Sequence, residues 1–302
     1  MIGSTDGERT GLIAAVAGFA LFSVGDTITK SMAGEWSPLA VAALRFTIGA
    51  AVLGMFLGSR EGSSAFIPSN PLLQAARGVS LGLATLGFFT AIFIMPLATA
   101  ISIAFVAPAI TALLSGPLLG EKVRPLTWVA IAVAFAGVLV ILQPNVVTLG
   151  WPALLPLLTA LGMSLLVITN RASAGQGSML SMQFFVAAGT AAVLVLVATI
   201  GAGSGIEMFV IGWPDWSVVI RCALVAVTGT SGHWLIYYGT TRAGAASVAP
   251  ATYVQLITAS ALGWLVFGDR PDLATVVGAL IIVAAGLILW WDGRILASTG
   301  QR

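Results

Sequence analysis

Charged residues are scarce in this chain: Lys, Arg, Asp and Glu together supply only 8% of its 302 residues. A typical soluble domain is about 25% charged and about 45–50% apolar, whereas this chain is 58% hydrophobic and has a mean hydropathy of +1.03. So few polar groups cannot cover a surface that faces water. The composition excludes a soluble enzyme, a secreted disulfide-rich domain and a nucleic-acid binder, and the net charge of +2 is too small to attract an anionic partner. We therefore expect a polytopic membrane protein.

Cysteine and histidine are nearly absent, with one residue of each, Cys222 and His233. A lone cysteine cannot form an intramolecular disulfide, and no cluster of His, Cys and carboxylate residues has the spacing of a metal site. The phosphate-binding motif Gly-x-x-x-x-Gly-Lys-Ser/Thr is absent from the sequence, which excludes a nucleotide-hydrolysing pump within this chain. A single histidine without a nucleophile partner argues against a hydrolase. The sequence therefore predicts neither a cofactor nor an enzyme.

Long apolar runs dominate what remains. A helix needs about 20 apolar residues to span a bilayer, and ten such runs are separated by Gly, Pro or charged residues. The predicted spans, numbered 1 to 10 in chain order, cover residues 11–32, 38–58, 72–94, 97–119, 125–143, 151–170, 180–200, 217–238, 245–267 and 273–291. Only short connections and tails are left, so we expect no separate extramembrane domain.

The basic residues favour one side of the predicted membrane, and such residues collect on the cytoplasmic side. If the N-terminus is cytoplasmic, that side receives Arg9, Arg60, Arg77, Lys122, Arg124, Arg171, Arg242, Arg294 and Arg302. The opposite side receives only Lys30, Arg221 and Arg270, with Arg45 inside span 2. We therefore expect a multi-pass protein of the cell inner membrane with both termini in the cytoplasm.

The second half of the sequence repeats the first. Span 3 with its exit, Arg77–Ala104, aligns with Arg221–Val248. In the next span of each copy, the interior Pro108 matches Pro250. The closing motif Gly120-Glu121-Lys122 then matches Gly268-Asp269-Arg270. Each copy has five spans, an odd number, so the copies must insert in opposite orientations, as in many transporters. The predicted fold is an all-α integral membrane protein whose ten transmembrane helices form two inverted five-helix repeats, residues 1–145 and 146–302.

These features resemble the drug/metabolite transporter superfamily. The resemblance rests on the five-plus-five spans, Lys30 at the end of span 1, the prolines of spans 4 and 9, and Gly120-Glu121 before a basic loop. It covers about residues 10–292. Within the superfamily the chain is most similar to bacterial EamA-type permeases, among them aromatic amino acid exporters. The resemblance implies export of small organic solutes by alternating access, without ATP hydrolysis, around a midplane cavity formed by spans 1, 3, 4, 6, 8 and 9.

Two charged residues of span 1, Asp26 and Lys30, lie one helical turn apart on the same face. Ionisable groups at membrane depth usually face a cavity or a charged partner. One interpretation is structural: the two residues form an ion pair, or Lys30 extends to the outer interface. The other is functional, because the same charges could meet the carboxylate and amine of a zwitterionic solute. Arg45 in span 2 is a candidate third member of this cluster.

Aromatic and polar side chains in spans 3, 8 and 9 suggest a central binding pocket. The candidate substrate-binding residues are Asp26, Lys30, Phe89, Phe93, His233, Trp234, Tyr237, Tyr253 and Gln255. Histidine titrates near neutrality, so His233 could couple transport to protons, although a lone histidine on an apolar helix is more often a packing residue. Packing also remains an explanation for each aromatic ring taken singly.

Pro108 and Pro250 each interrupt a predicted span and leave backbone carbonyls without partners. They are candidate hinges between the repeats, with a static kink as the alternative.

An apolar pocket with few charges suits a neutral or zwitterionic solute with a hydrophobic body. The sequence therefore predicts export of hydrophobic or aromatic amino acids, with a multidrug cation carrier or an intramembrane lipid-modifying enzyme as alternatives. The expected partners are this small-molecule substrate and the lipid bilayer, without nucleic acid or metal, and a monomer would be sufficient.

Overall fold

Ten helices are long and apolar enough to cross a membrane in the structure, a computed structural model that describes residues 3–119 and 125–299. The spans are Gly7–Lys30, Pro38–Glu61, Pro71–Ile94, Leu97–Leu118, Pro125–Leu149, Trp151–Ala172, Met179–Ala202, Trp216–Ala243, Ala249–Phe267 and Leu273–Trp291. All ten predicted spans are confirmed, and these described ranges contain no β-strand. The predicted motif Gly120-Glu121-Lys122, Arg124 and Arg302 lie outside the described residues.

The helix ends are formed by residues that start and stop helices. Pro38 and Pro71 begin spans 2 and 3, where the missing backbone N–H costs no hydrogen bond. The Asn70 side chain caps span 3 by accepting a hydrogen bond from the Leu73 N–H at 3.1 Å. Span 9 stops at Gly268, whose φ of 71° lies in the left-handed region that favours glycine. Local sequence thus sets the limits of these spans.

Spans 4 and 9 are broken where their prolines lie. Pro108 occupies the first turn of the second helix of span 4, and Pro250 lies in a 3-10 turn that precedes the main helix of span 9. Span 4 consists of the helices Leu97–Ala104 and Ala107–Leu119. Span 9 consists of the 3-10 turn Ala249–Thr252 and the helix Tyr253–Phe267, and the short helix Ala245–Val248 precedes it. Both repeats therefore interrupt the equivalent span.

The helix packing reflects the internal repeat. Span 1 packs on span 8, and its counterpart span 6 packs on span 3. Likewise spans 1 and 9 pack together, as do spans 6 and 4, whereas the pairs formed by spans 2 and 7 and by spans 5 and 10 map onto themselves. Exchanging each span with the one five places later leaves this set of neighbours unchanged. The fold is therefore two inverted five-helix repeats, as the odd number of spans in each copy requires.

Small residues allow the closest helix approaches. A Cβ placed on Gly162 of span 6 would lie 2.5 Å from the Ala84 backbone nitrogen of span 3. Gly78 and Gly189 face each other where spans 3 and 7 cross, and a Cβ on Gly78 would lie 2.7 Å from the Gly189 Cα. Helices inside a bilayer associate largely through such close packing. These contacts join the two repeats across the centre of the bundle.

Candidate functional site

A cavity of about 800 Å³ lies between the two repeats. Spans 1, 3, 4, 6, 8 and 9 all contribute to its lining, as the family resemblance implied, and spans 2, 5 and 10 add further residues. We call the end of the molecule where span 1 stops the Lys30 end, and the opposite end, where span 6 stops, the Arg171 end. The cavity runs from Asp26 and Phe89, which lie four and five residues before their spans end at the Lys30 end, to Thr127 and Arg171 at the Arg171 end.

Charged and polar side chains form the deep part of this central cavity. The Gln255 amide donates a hydrogen bond to the Asp26 carboxylate at 3.1 Å. Asp26 and Arg45 lie close enough to interact electrostatically, and the Arg45 guanidinium lies over the ring of Phe89, 5.6 Å from its centroid. His233 makes an edge-to-face contact with Phe22 at 4.8 Å. A carboxylate, a guanidinium, an amide and an imidazole therefore line the deep part of the cavity.

Arg45 is a charged residue that lacks hydrogen-bond acceptors among the described residues. Among the described residues, its guanidinium has two ring contacts, with Phe46 at 4.5 Å and with Phe89, and no hydrogen-bond acceptor. Gly229 of span 8 leaves room for it, because a Cβ at that position would collide with a guanidinium nitrogen. An arginine carries five N–H donors, and a charge at membrane depth is costly without a partner. The cavity thus presents an arginine whose acceptor must be water or a ligand.

Aromatic rings and hydroxyl groups form the walls. Phe105 and Tyr253 meet edge to face at 5.8 Å, one from each broken span. Span 3 contributes Phe88 and Phe89, whose ring centroids lie 6.4 Å apart. The Ser and Thr hydroxyl groups of the wall come from Thr85, Thr111, Ser115, Thr127, Thr159 and Thr252. Apolar walls with a few placed polar groups are typical of small-molecule sites.

The Lys30 end is closed by an ion pair between the repeats. The Lys30 ammonium binds the Asp269 carboxylate and also donates to the Met95 carbonyl at 3.0 Å. It lies 5.2 Å from the centroid of the Phe267 ring. The two charged side chains are only 13% and 24% exposed. The predicted ion pair of Lys30 with Asp26 is therefore wrong, because Lys30 turns away from the cavity toward span 9.

A second set of contacts reinforces the same end. Arg221 of span 8 forms an ion pair with Glu35 in the loop after span 1 and donates to the Ser31 carbonyl at 3.0 Å. The hydrogen bonds from Arg221 hold the pKa of the Glu35 carboxyl below its usual value. Thr99 and Thr275 join spans 4 and 10 by a hydrogen bond of 3.2 Å. Among the described residues these contacts close the Lys30 end, whereas the lining of the central cavity extends to the Arg171 end.

The structure brings together only part of the predicted site. Asp26, Phe89, His233, Tyr253 and Gln255 line the central cavity, as does the predicted hinge residue Pro108. Lys30, Phe93, Trp234, Tyr237 and Pro250 do not.

Trp234 and Tyr237 face outward and are 58% and 48% exposed. Each lies two residues from a glycine, Gly232 or Gly239, that packs on span 1. Two residues turn a helix by about 200°, so both aromatic side chains lie opposite that contact.

Sequence reasoning missed several lining residues. From the sequence, Arg45 is only a candidate third member of the cluster of Asp26 and Lys30, although a charge in an apolar span is itself a sufficient signal of a cavity. Phe105 lies at the break of span 4, three residues before Pro108, and Phe22 lies one turn before Asp26. The threonines of the wall carry no sequence signal of their own. In the described residues no three His, Cys, Asp or Glu side chains form a metal-binding group.

A second cavity of about 650 Å³, which we call the lateral groove, lies between spans 2, 7 and 8. Its walls include Phe46, Gly49, Leu53, Phe56, Gln183, Thr230 and Trp234. Arg45, Leu81 and His233 line both this groove and the central cavity. Phe56 and Trp234 are 54% and 58% exposed on the membrane face of the bundle. The two cavities are thus neighbours separated by three side chains.

Comparison with known proteins gives a consistent result. The EamA-like transporter family matches twice, over residues 9–143 and 150–291. An S-adenosylmethionine uptake transporter of Rickettsia prowazekii (strain Madrid E) is 28% identical over 90% of this chain and 89% of its own length. A riboflavin transporter of Rhizobium johnstonii is 27% identical over 76% of this chain and 74% of its own.

The pseudopaline exporter CntI of Pseudomonas aeruginosa is 24% identical over 93% of this chain and 96% of its own length. A solved crystal structure aligns over 93% of this chain and 97% of that chain, with a TM-score of 0.59 and 22% sequence identity. This last likeness supports the fold.

Proposed function

The chain belongs to the EamA-like transporter family, and on that basis we propose that it exports small zwitterionic solutes with a hydrophobic or aromatic body, most simply amino acids. It is a multi-pass membrane transporter and not an enzyme, so a lipid-modifying activity is excluded. Both halves of the central cavity come from one chain, which supports a monomer as the transporting unit. We propose that the repeats meet near residues 145–150, between the two family matches.

The observation that carries this proposal is the pair of opposite charges on the cavity floor. Arg45 has donors without an acceptor among the residues that the structure describes, which suits a carboxylate. Asp26 accepts one hydrogen bond from Gln255, and its remaining lone pairs suit an ammonium group. The rings of Phe22, Phe89 and Tyr253 would surround the hydrophobic body of the solute. In this assignment Lys30 is a gating residue and not a binding residue.

The relatives are compatible with this chemistry and suggest that larger solutes fit. S-adenosylmethionine is itself a derivative of an amino acid with a bulky aromatic substituent. A cavity of about 800 Å³ lies in the upper part of the ~300–1,000 Å³ range of small-molecule sites. The riboflavin transporter shows that family members are also named for solutes without an amino acid group.

The direction of transport depends on which end faces the cytoplasm. The bias of basic residues supports a cytoplasmic Arg171 end, both termini on that side and insertion in the cell inner membrane. The structure would then present the state that loads substrate from the cytoplasm. Release would require the Lys30 end to open while the other end closes, with Pro108 and Pro250 at the breaks as hinges.

The test measures counterflow of single solutes in proteoliposomes. The solutes are phenylalanine, methionine, threonine, S-adenosylmethionine and a lipophilic cation. We expect saturable counterflow of the zwitterions. Arg45→Gln should lower it at least about 30-fold, because a charged hydrogen-bonded partner contributes about 2–5 kcal/mol and about 1.4 kcal/mol is tenfold, whereas Arg45→Lys should retain part of it. Arg60→Gln changes an exposed arginine of the same span and is the matched control.

A multidrug cation carrier is the second candidate, and Asp26 is the observation that favours it. Arg45 lies near Asp26 and opposes a cation there. Cation resistance in cells without any amino acid flux would replace our assignment with this one.

A further inference from the structure

We propose that the lateral groove is a binding site for single-chain carboxylate amphiphiles from the bilayer, with the carboxylate at Arg45 and the chain along span 2. No function assigned above uses this groove. The proposal rests on its shape, on its charge and on the residues that it shares with the central cavity.

The groove is accessible from the membrane. Phe56 and Trp234, on its two sides, are more than half exposed, and both belong to membrane spans. Gly49 lies in its wall, and a Cβ at that position would meet no atom within 4 Å. An exposed concave surface on a membrane span faces lipid chains and not water. The space beside Gly49 can therefore receive an apolar chain from the bilayer.

Charge determines the head group. Arg45 lies at the inner end of the groove. In the part of the chain that the structure describes, no Asp or Glu lines the groove. Asp26 lines only the central cavity. Thr230 and Gln183 add polar groups, while Phe46, Leu53 and Phe56 form an apolar path outward. A positive inner end with an apolar outer path complements an anion that carries a hydrocarbon chain.

The length of the path determines the chain. Arg45 and Phe56 are separated by eleven residues of one helix, so they lie about 16 Å apart along the axis at about 1.5 Å per residue. A chain of about a dozen carbons has this reach. The groove volume of about 650 Å³ accommodates one such molecule.

The side chains that the two cavities share link binding in the groove to transport. Arg45 and His233 line both cavities, so an amphiphile whose carboxylate binds Arg45 occupies the donors that we assign to the substrate. It should therefore compete with the transported solute. This consequence rests on the proposed function, whereas binding in the groove does not.

The binding test uses dodecanoate with a terminal diazirine, photoactivated in liposomes that contain the purified protein. We expect labels on spans 2 and 8, near Phe56 and Trp234. Gly49→Trp fills the groove and should lower this labelling at least tenfold. Leu196→Trp places the same ring on a lipid-facing position of span 7 outside the groove and should leave labelling unchanged. Gly49→Leu is the milder variant if the tryptophan impairs folding.

Two results would overturn the site. One is labelling that spreads over all spans and is insensitive to both Gly49 variants. The other is equal labelling by the corresponding dodecanol probe, because an uncharged head group gains nothing from Arg45.

The transport test follows. Dodecanoate should inhibit phenylalanine counterflow competitively, and Gly49→Trp should raise its inhibition constant at least tenfold without changing the KM for phenylalanine. An unchanged inhibition constant in Gly49→Trp contradicts the competition. If no panel solute is transported at all, the proposed function fails while the labelling result still decides the groove.

Discussion

Arg77 and Arg221 occupy equivalent positions in the two repeats, and they lie at opposite ends of the molecule. Arg221 joins span 8 to the end of span 1 and the following loop, through Ser31 and Glu35. Arg77 joins span 3 to the end of span 6, where it donates to the Asn170 side chain at 2.7 Å. The inverted repeat has therefore placed the same kind of contact at both ends.

The two ends nevertheless differ in what they do to the cavity. At the Lys30 end, the Lys30–Asp269 pair joins span 1 to the loop after span 9, and neither residue lines the cavity. At the Arg171 end the cavity reaches Thr127 and Arg171. The arginine contacts are common to both ends, so they hold the bundle together. The Lys30–Asp269 pair coincides with closure, and we therefore regard it as the gate.

The largest effect on this comparison should come from breaking the gate. Lys30→Ala leaves the Asp269 carboxylate partly buried without its cation, and removing one partner of a buried pair costs about 3–5 kcal/mol. The population should shift away from the closed Lys30 end, and counterflow should fall at least about tenfold in a protein that is still folded and inserted. Arg270→Ala removes the neighbouring exposed cation and should leave transport intact.

A charge exchange separates gating from simple loss of structure. Lys30→Asp combined with Asp269→Lys restores opposite charges at the same contact and should recover part of the transport. If the double variant is no better than either single one, the pair does not act as the gate.

A smaller effect should follow from Gly229→Ala, which acts on the cavity and leaves both ends intact. The added Cβ collides with the Arg45 guanidinium, so the guanidinium must move from its place over the cavity floor. We expect a higher KM for zwitterions, by roughly tenfold for a weakened charged hydrogen bond of about 1.5–3 kcal/mol, with the maximal rate less affected. Gly212→Ala, at a loop position with open space, is the control; an unchanged KM would count against Arg45 as a binding residue.

The smallest effect concerns the exposed Glu35–Arg221 pair. The pKa of Glu35 is lowered in the folded state by its hydrogen bonds with Arg221. A lowered pKa means that the pair contributes stability above the pKa of the unfolded chain and loses it as the pH falls through the folded pKa. Glu35→Gln should lower the free energy of unfolding at pH 7 by less than about 1 kcal/mol. The measurement is a small decrease in the melting temperature.

This difference from the wild type should disappear once the pH has fallen below the folded-state pKa of Glu35, which lies under its ordinary value. Glu207→Gln changes another exposed acid of the same end and should show no such dependence. A difference that persists in acid would mean that Glu35 acts through something other than its charge.

The sequence was sufficient for the spans and the repeat, because both depend on patterns that the bilayer imposes locally. It did not predict the partner of Lys30, since Asp269 is 239 residues away and becomes a neighbour only when the repeats interlock. Asp26, one turn away, was the natural choice from helix geometry alone.

The glycines of span 8 indicate which face of this helix packs on a neighbouring helix. Gly232 and Gly239 pack on span 1 and fix the rotation of the helix, which turns Trp234 and Tyr237 outward. Aromatic character alone did not distinguish the cavity face from the lipid face. The hydroxyl groups of the wall could not be predicted, because threonine is compatible with either face of a membrane helix.

One-sided access to the central cavity is the claim on which the account depends. A single cysteine at Thr85, in a Cys222→Ser background, reports it when a membrane-impermeant maleimide is applied to either face of sealed vesicles. We predict labelling from the cytoplasmic face only while Lys30 and Asp269 are intact, and additional labelling from the opposite face in Lys30→Ala. Labelling of the intact protein from the opposite face alone, or equal labelling of the variant and the intact protein from both faces, would contradict it.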